Sequence, residues 1–154
     1  MADANVPLVY VDTSVWLQSI TGQEPHDMCD RVLLAGGAGR IQVVASWLVR
    51  AEVQSVPPPN TDRVLTEVVD QLLDSKGVRW VAVDRFVAVE AREFSLRLPK
   101  RLSGADAVHL ATAVLEKAAF FMTMDEDFPF DNTIDGVAVT KPMVVWQEDL
   151  FGLV

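Results

Sequence analysis

The sequence predicts an α/β fold of three layers, α/β/α, around a mostly parallel central sheet. Three observations lead there. Short apolar runs of strand length recur along the chain, and stretches of helical pattern separate them. The strand runs are also predominantly apolar, as in strands buried on both faces. Strands that alternate with helices in this way run parallel, and the helices cover both faces of the sheet.

The first strand run is PLVYV (7–11), and a helix is expected at 26–35, stopped by GGAG at 36–39. IQVV (41–44) is the second strand, followed by a helix at 47–56 that the prolines of PPP (57–59) cannot continue. A third helix is expected at 61–75, ended by Lys76 and Gly77, before the strand VRWVAV (78–83). Helices at 85–98 and 104–118 lead to the strand AFFMTM (119–124), and the tail after Gly136 (VAVTKPMVVWQ) is read as one more strand. There is no repeat, low-complexity tract or linker, so residues 1–154 are expected to form one domain.

Composition narrows the function classes. The chain has 154 residues, 50% hydrophobic and 23% charged, which is globular and long enough to bury a core. A net charge of -9 argues against a broad basic face that coats nucleic acid, but not against local contact with a few nucleotides. One cysteine, Cys29, leaves no intrachain disulfide and no thiolate-rich zinc site; two histidines, His26 and His109, supply a His-based zinc centre poorly. No signal peptide or membrane-spanning run is read, so a cytoplasmic location is expected.

The acids carry the chemistry. Asp12 directly follows the first strand, and ligands of parallel α/β sheets bind beyond the carboxyl ends of strands. Its plain alternative is a helix cap. Asp125 stands in the same relation to the last clear strand, in a loop it shares with Glu126 and Asp127, where a cap or turn is again the alternative. Asp106 lies in the first turn of a helix that Ser103 can cap, where the helix dipole favours a negative charge. His109, three residues on, reads as a buried, hydrogen-bonded side chain rather than a ligand. Glu52 lies beside a stripe of Leu48, Ala51 and Ser55, where it could be only a solvated charge.

Brought to one edge, such acids would repel. A like-charged pair at ~4 Å costs about 4 kcal/mol at an effective dielectric of ~20. The cluster survives if acids protonate or cations bind. Oxygen ligands without Cys or His select Mg²⁺ or Mn²⁺. Two such ions ~3.5–4 Å apart are a known device for phosphodiester hydrolysis.

VYVDTS, SWLVRAEVQS, LSGADAVHLATA and TMDEDF, in this order, resemble the PIN-domain ribonucleases, especially the VapC toxins of bacterial toxin–antitoxin pairs, over about residues 8–130. The resemblance implies a three-layer fold and a Mg²⁺- or Mn²⁺-dependent endoribonuclease acting on RNA, often homodimeric and silenced by a cognate antitoxin protein. It assigns the catalytic, metal-binding carboxylates to Asp12, Glu52, Asp106 and Asp125. Thr13 or Ser14 supplies the hydroxyl beside the first acid, Thr123 the small hydroxyl residue before the fourth, and Asp127 an optional extra acid.

Arg92, Arg97, Lys100 and Arg101 against the single acid Glu93 give a local balance of +3 leading into the Asp106 helix, either a solvated face or a phosphate contact. Trp16 and Trp47 lie near site motifs and could stack bases or fill a core or interface. Two other readings compete. A haloacid-dehalogenase-type phosphatase also starts from a strand-end Asp but wants a second Asp two residues on, where this chain has Ser14. A degenerate PIN module would bind RNA or protein without cleaving; the presence of all four acids argues against it.

Overall fold

The computed structural model describes residues 6–55, 67, 70, 71, 73, 74 and 77–148. The strands among the described residues are β1 (Leu8–Val11), β2 (Gln42–Ser46), β3 (Val78–Val81), β4 (Phe120–Met122), β5 (Asn132–Ile134) and β6 (Val137–Thr140). They form one sheet in the order β3-β2-β1-β4-β6-β5. All neighbours run parallel except β5 with β6.

The three layers follow from the alternation of side chains along each strand. Val9 and Val11 of β1 and Val43 and Ala45 of β2 enter one core with α1 (Thr13–Thr21), α2 (Asp27–Gly37) and α3 (Trp47–Ser55). Tyr10 and Val44 point the other way, into a second core with α4 (Arg85–Arg97) and α5 (Gly104–Leu115). Burial on both faces is why these strands read as continuous apolar runs. Where α2 meets the sheet, a Cβ on Gly36 would lie 2.5 Å from Val43 Cγ2, so helix and strand approach this closely only at a glycine.

Several elements differ from expectation. α1 falls where the sequence predicts no helix, because its β-branched Thr13, Val15, Ile20 and Thr21 continue the composition of the strand before it. It ends at Gly22, in the left-handed conformation. β2 runs on to Ser46, whose hydroxyl accepts the Leu48 N–H (3.1 Å) and starts α3 with no loop between them. The buried side of α3 carries Val49 and Val53; of the small-residue stripe, Ala51 is exposed and Leu48 only half-buried.

The tail strand exists as β6, and the unexpected β5 pairs with it through the two-residue turn Asp135–Gly136. Both turn residues have positive φ (46° and 88°), the backbone that a tight hairpin requires. The triple proline lies outside the described residues; within 61–75 the described residues 67, 70, 71, 73 and 74 are helical. None of the described helices is long and apolar enough to cross a membrane.

Candidate active site

The order of the strands creates the site. From β1 the chain moves outward through β2 to β3, then returns to place β4 on the other side of β1. The crevice beyond the carboxyl ends of β1 and β4 is therefore the switch point at which α/β sheets bind ligands. Asp12 follows β1 there, and Thr123 and Asp125 follow β4.

Asp12 occupies the N-cap position of α1, yet its side chain makes no capping bond. Its Oδ2 instead accepts from Ser14 Oγ and Thr123 Oγ1, both at 2.8 Å, with only 3% of the residue exposed. Ser14 Oγ in turn accepts the Met124 N–H (2.9 Å), and Thr123 Oγ1 accepts the Asp125 N–H (3.0 Å). The hydroxyls of Ser14 and Thr123 thus tie the ends of two adjacent strands together around one carboxylate.

Thr123 joins this half of the site to a second. Asp106, Asp125 and Asp127 each offer a carboxylate oxygen, all within 4.8 Å of one another. Ser103 caps α5 by accepting the Asp106 N–H (3.2 Å), which sets Asp106 in the first turn facing the β4 loop. Asp125 Oδ1 accepts the Asp127 N–H (2.9 Å). The turn that was the plain alternative for Asp125 is present, and it carries Asp127 into the group. Lys100 Nζ pairs with Asp127 Oδ1 at 2.5 Å, while the exposed Glu126 lies 3.7 Å from Lys141. Burial holds the Asp106 carboxyl above its ordinary range, with the charges of Asp125 and Asp12 adding to the effect.

Glu52 reaches the same edge from α3 and is anchored rather than merely solvated. Its Oε1 lies 2.6 Å from His109 Nε2 and accepts from Thr13 Oγ1 (3.1 Å). His109 Nδ1 meets the Tyr10 hydroxyl at 2.6 Å, and that hydroxyl accepts the Ser46 N–H at 3.1 Å. His109 is 1% exposed, and its Nε2 also lies 4.0 Å from Asp12 Oδ1. The bond from His109 pulls the Glu52 carboxyl below its ordinary range; burial pushes the Tyr10 hydroxyl well above its own.

Sequence reasoning misses Tyr10 and gives His109 no partner. The available signal is a lone hydroxyl in an aliphatic strand, since a buried tyrosine oxygen needs a partner.

The four basic residues do not gather. Lys100 stands at the acid loop. Arg97 pairs with Asp135 (2.9 Å) in the β5–β6 turn, before β6 and so at the opposite edge of the sheet. Arg92 and Arg101 are exposed, without an ion pair among the described residues. Trp16 is fully buried with its indole N–H on Val11 O (3.2 Å), which removes it from any stacking role. Trp47 is 48% exposed and stacks on Trp80. Elsewhere, His26 and Asp30 bond to each other (2.8 Å), and Ser19 donates to Asp30, a junction between α1 and α2.

A buried carboxylate, a trio of neighbouring acids and no sulfur make an oxygen donor set suited to a hard cation. The fold and this edge define an α/β/α protein with an acidic site at its switch point. The PIN domain model matches residues 9–132, and the chain belongs to the PIN domain family. Among solved structures, it is similar to the Mycobacterium tuberculosis VapC20 toxin, described as cleaving the sarcin–ricin loop. That match has 22% identity over 77% of this chain and 91% of that one, with a TM-score of 0.59. It is also similar to VapBC2 from Rickettsia felis bound to a promoter DNA fragment (16% identity, 91% and 99% covered, TM-score 0.60). FitAcB from Neisseria gonorrhoeae matches at 20% identity, with 87% and 97% covered and a TM-score of 0.57. A comparison with curated proteins finds no match.

Proposed function

We propose that this chain is a metal-dependent endoribonuclease and the toxin of a toxin–antitoxin pair. One observation carries the reading: Asp106, Asp125 and Asp127 group within 4.8 Å beside the buried Asp12 at the switch point of the sheet. Belonging to the PIN family supports it, as do solved relatives described as a loop-cleaving toxin and as VapBC2 bound to a promoter DNA fragment.

Asp12, Glu52, Asp106 and Asp125 would hold Mg²⁺ or Mn²⁺, with Asp127 as an additional ligand. When bound, two such ions supply an activated water and stabilise the leaving oxygen of a phosphodiester. The chain itself orients the ligands. Ser14 and Thr123 hold Asp12, Thr13 holds Glu52, and the Ser103 cap holds Asp106 at the mouth of its helix. Lys100 is the base best placed to meet a phosphate, since Arg97 is drawn to the far edge and Arg92 and Arg101 stay solvated.

An antitoxin that inserts an Arg or Lys would relieve the charge crowding that raises the Asp106 carboxyl. Exposed Phe86, Val89 and Leu96 on α4 support a homodimer. One domain over residues 1–154 and a cytoplasmic location complete the reading.

The test is cleavage of a structured RNA by purified protein with Mn²⁺. Cleavage that a chelator stops and Asp125→Asn abolishes supports the proposal. Binding of RNA without cleavage at any Mn²⁺ or Mg²⁺ concentration would overturn it.

A further inference from the structure

We infer that His109 is the positioning residue of Glu52, and that its orientation is set from the sheet by Tyr10. This deepens the proposed function and rests on it. The argument is a proton count along one buried chain of bonds. The Ser46 N–H can only donate, so the Tyr10 oxygen accepts it (3.1 Å) and the Tyr10 proton must point elsewhere. Its partner is His109 Nδ1 at 2.6 Å, which makes Nδ1 an acceptor and leaves the ring proton on Nε2. Nε2–H then donates to Glu52 Oε1 at 2.6 Å.

The opposite tautomer would leave the Tyr10 proton without an acceptor at a fully buried residue. It would also turn a nitrogen lone pair toward a carboxylate. A histidine fixed in this way stops rotation of the Glu52 carboxylate, and the second bond, from Thr13 Oγ1 (3.1 Å), locks the same oxygen. The geometry also spans the layers. Glu52 comes from α3 on one face of the sheet and His109 from α5 on the other, and they meet over the carboxyl end of β1. Glu52 lies on a helix whose distance from the acid trio is set by packing, so a clamp from the opposite layer keeps its carboxylate in register with them.

Two readouts that need no RNA test this. Nitrogen NMR of the imidazole in the metal-free protein should find His109 protonated at Nε2, and Tyr10→Phe should weaken that preference. Calorimetric titration with Mn²⁺ alone should show binding about 10-fold weaker in His109→Ala, the scale of a lost ligand-orienting partner. It should be largely restored in His109→Gln, whose amide can still donate. Placing His109→Ala on a Glu52→Gln background should bring no further loss.

A ring protonated at Nδ1, or an undiminished Mn²⁺ affinity in His109→Ala, overturns the inference. So does an equal loss from His109→Ala with and without the Glu52 carboxylate, which would mark a purely structural role. A wild-type chain that binds no Mn²⁺ overturns the proposed function and this inference with it. A chain that binds Mn²⁺ through this clamp but cuts no RNA removes the nuclease reading alone.

Discussion

Replacing Thr123 separates hydrogen bonding from packing at the junction of β1 and β4. The residue is fully buried, and its hydroxyl donates to Asp12 Oδ2 (2.8 Å) while accepting the Asp125 N–H (3.0 Å). Thr123→Val keeps the volume and removes both bonds. A bond to an ionised carboxylate contributes about 1.5–3 kcal/mol, and a half-buried N–H left without an acceptor costs about 1 kcal/mol more. The sum is about 3 kcal/mol, or about 6–12 °C in Tm for a chain of this size. Thr123→Ser keeps both bonds and removes one buried methyl, which costs about 1 kcal/mol. Urea unfolding at neutral pH with a chelator present should therefore rank wild type above serine and serine above valine. If serine is at least as damaging as valine, packing rather than the hydroxyl holds this junction, and the account of Asp12 fails.

Four further outcomes are expected. Asp125→Asn should reduce RNA cleavage by about 100-fold or more, the scale of a misplaced reacting geometry, whereas Asp127→Asn, exposed and paired with Lys100, should keep a measurable fraction; a dead Asp127→Asn beside an active Asp125→Asn would reverse their roles. The raised Asp106 carboxyl contributes stability below its ordinary value of 3.8 that is lost as pH rises through the folded-state value, so Asp106→Asn should raise the Tm of metal-free protein at pH ~7 and not at pH ~3. The lowered Glu52 carboxyl has the opposite sign: its contribution is present above 4.5 and lost as pH falls through the folded-state value, so Glu52→Gln should lower the neutral-pH Tm in the same melts. Phe86→Lys, on the exposed face of α4, should shift a micromolar homodimer to monomer in sedimentation equilibrium, and a persistent dimer would place the interface elsewhere.

Features set by near neighbours along the chain are legible in the sequence. A carboxylate directly after an apolar strand run marks the edge of a parallel sheet, which is why Asp12 and Asp125 are expected there. A serine three residues before an acid at a helix start places Asp106 in the same way. The hairpin signal of Asp135–Gly136 is equally local, but β5 before it is three residues long and largely exposed, so no apolar run marks it as a strand. The first helix is not legible because β-branched residues suit a strand and a buried helix alike, and only packing against α2 decides between them.

By itself the sequence determined the three-layer α/β class and the strand-end or helix-start setting of Asp12, Asp106 and Asp125, since these rest on periodicity and short-range order, while its four ordered motifs carried the family resemblance. Only the tertiary structure decided that the Asp12 carboxylate serves Thr123, 111 residues away, instead of capping its helix, and that Arg97 turns from the site to Asp135. It likewise decided that Glu52 is clamped by His109, 57 residues distant, and His109 by Tyr10, 99 residues distant. Those pairings depend on which strands lie side by side and how far each helix slides along the sheet. These are set by the fit of two whole cores, and no local pattern encodes them.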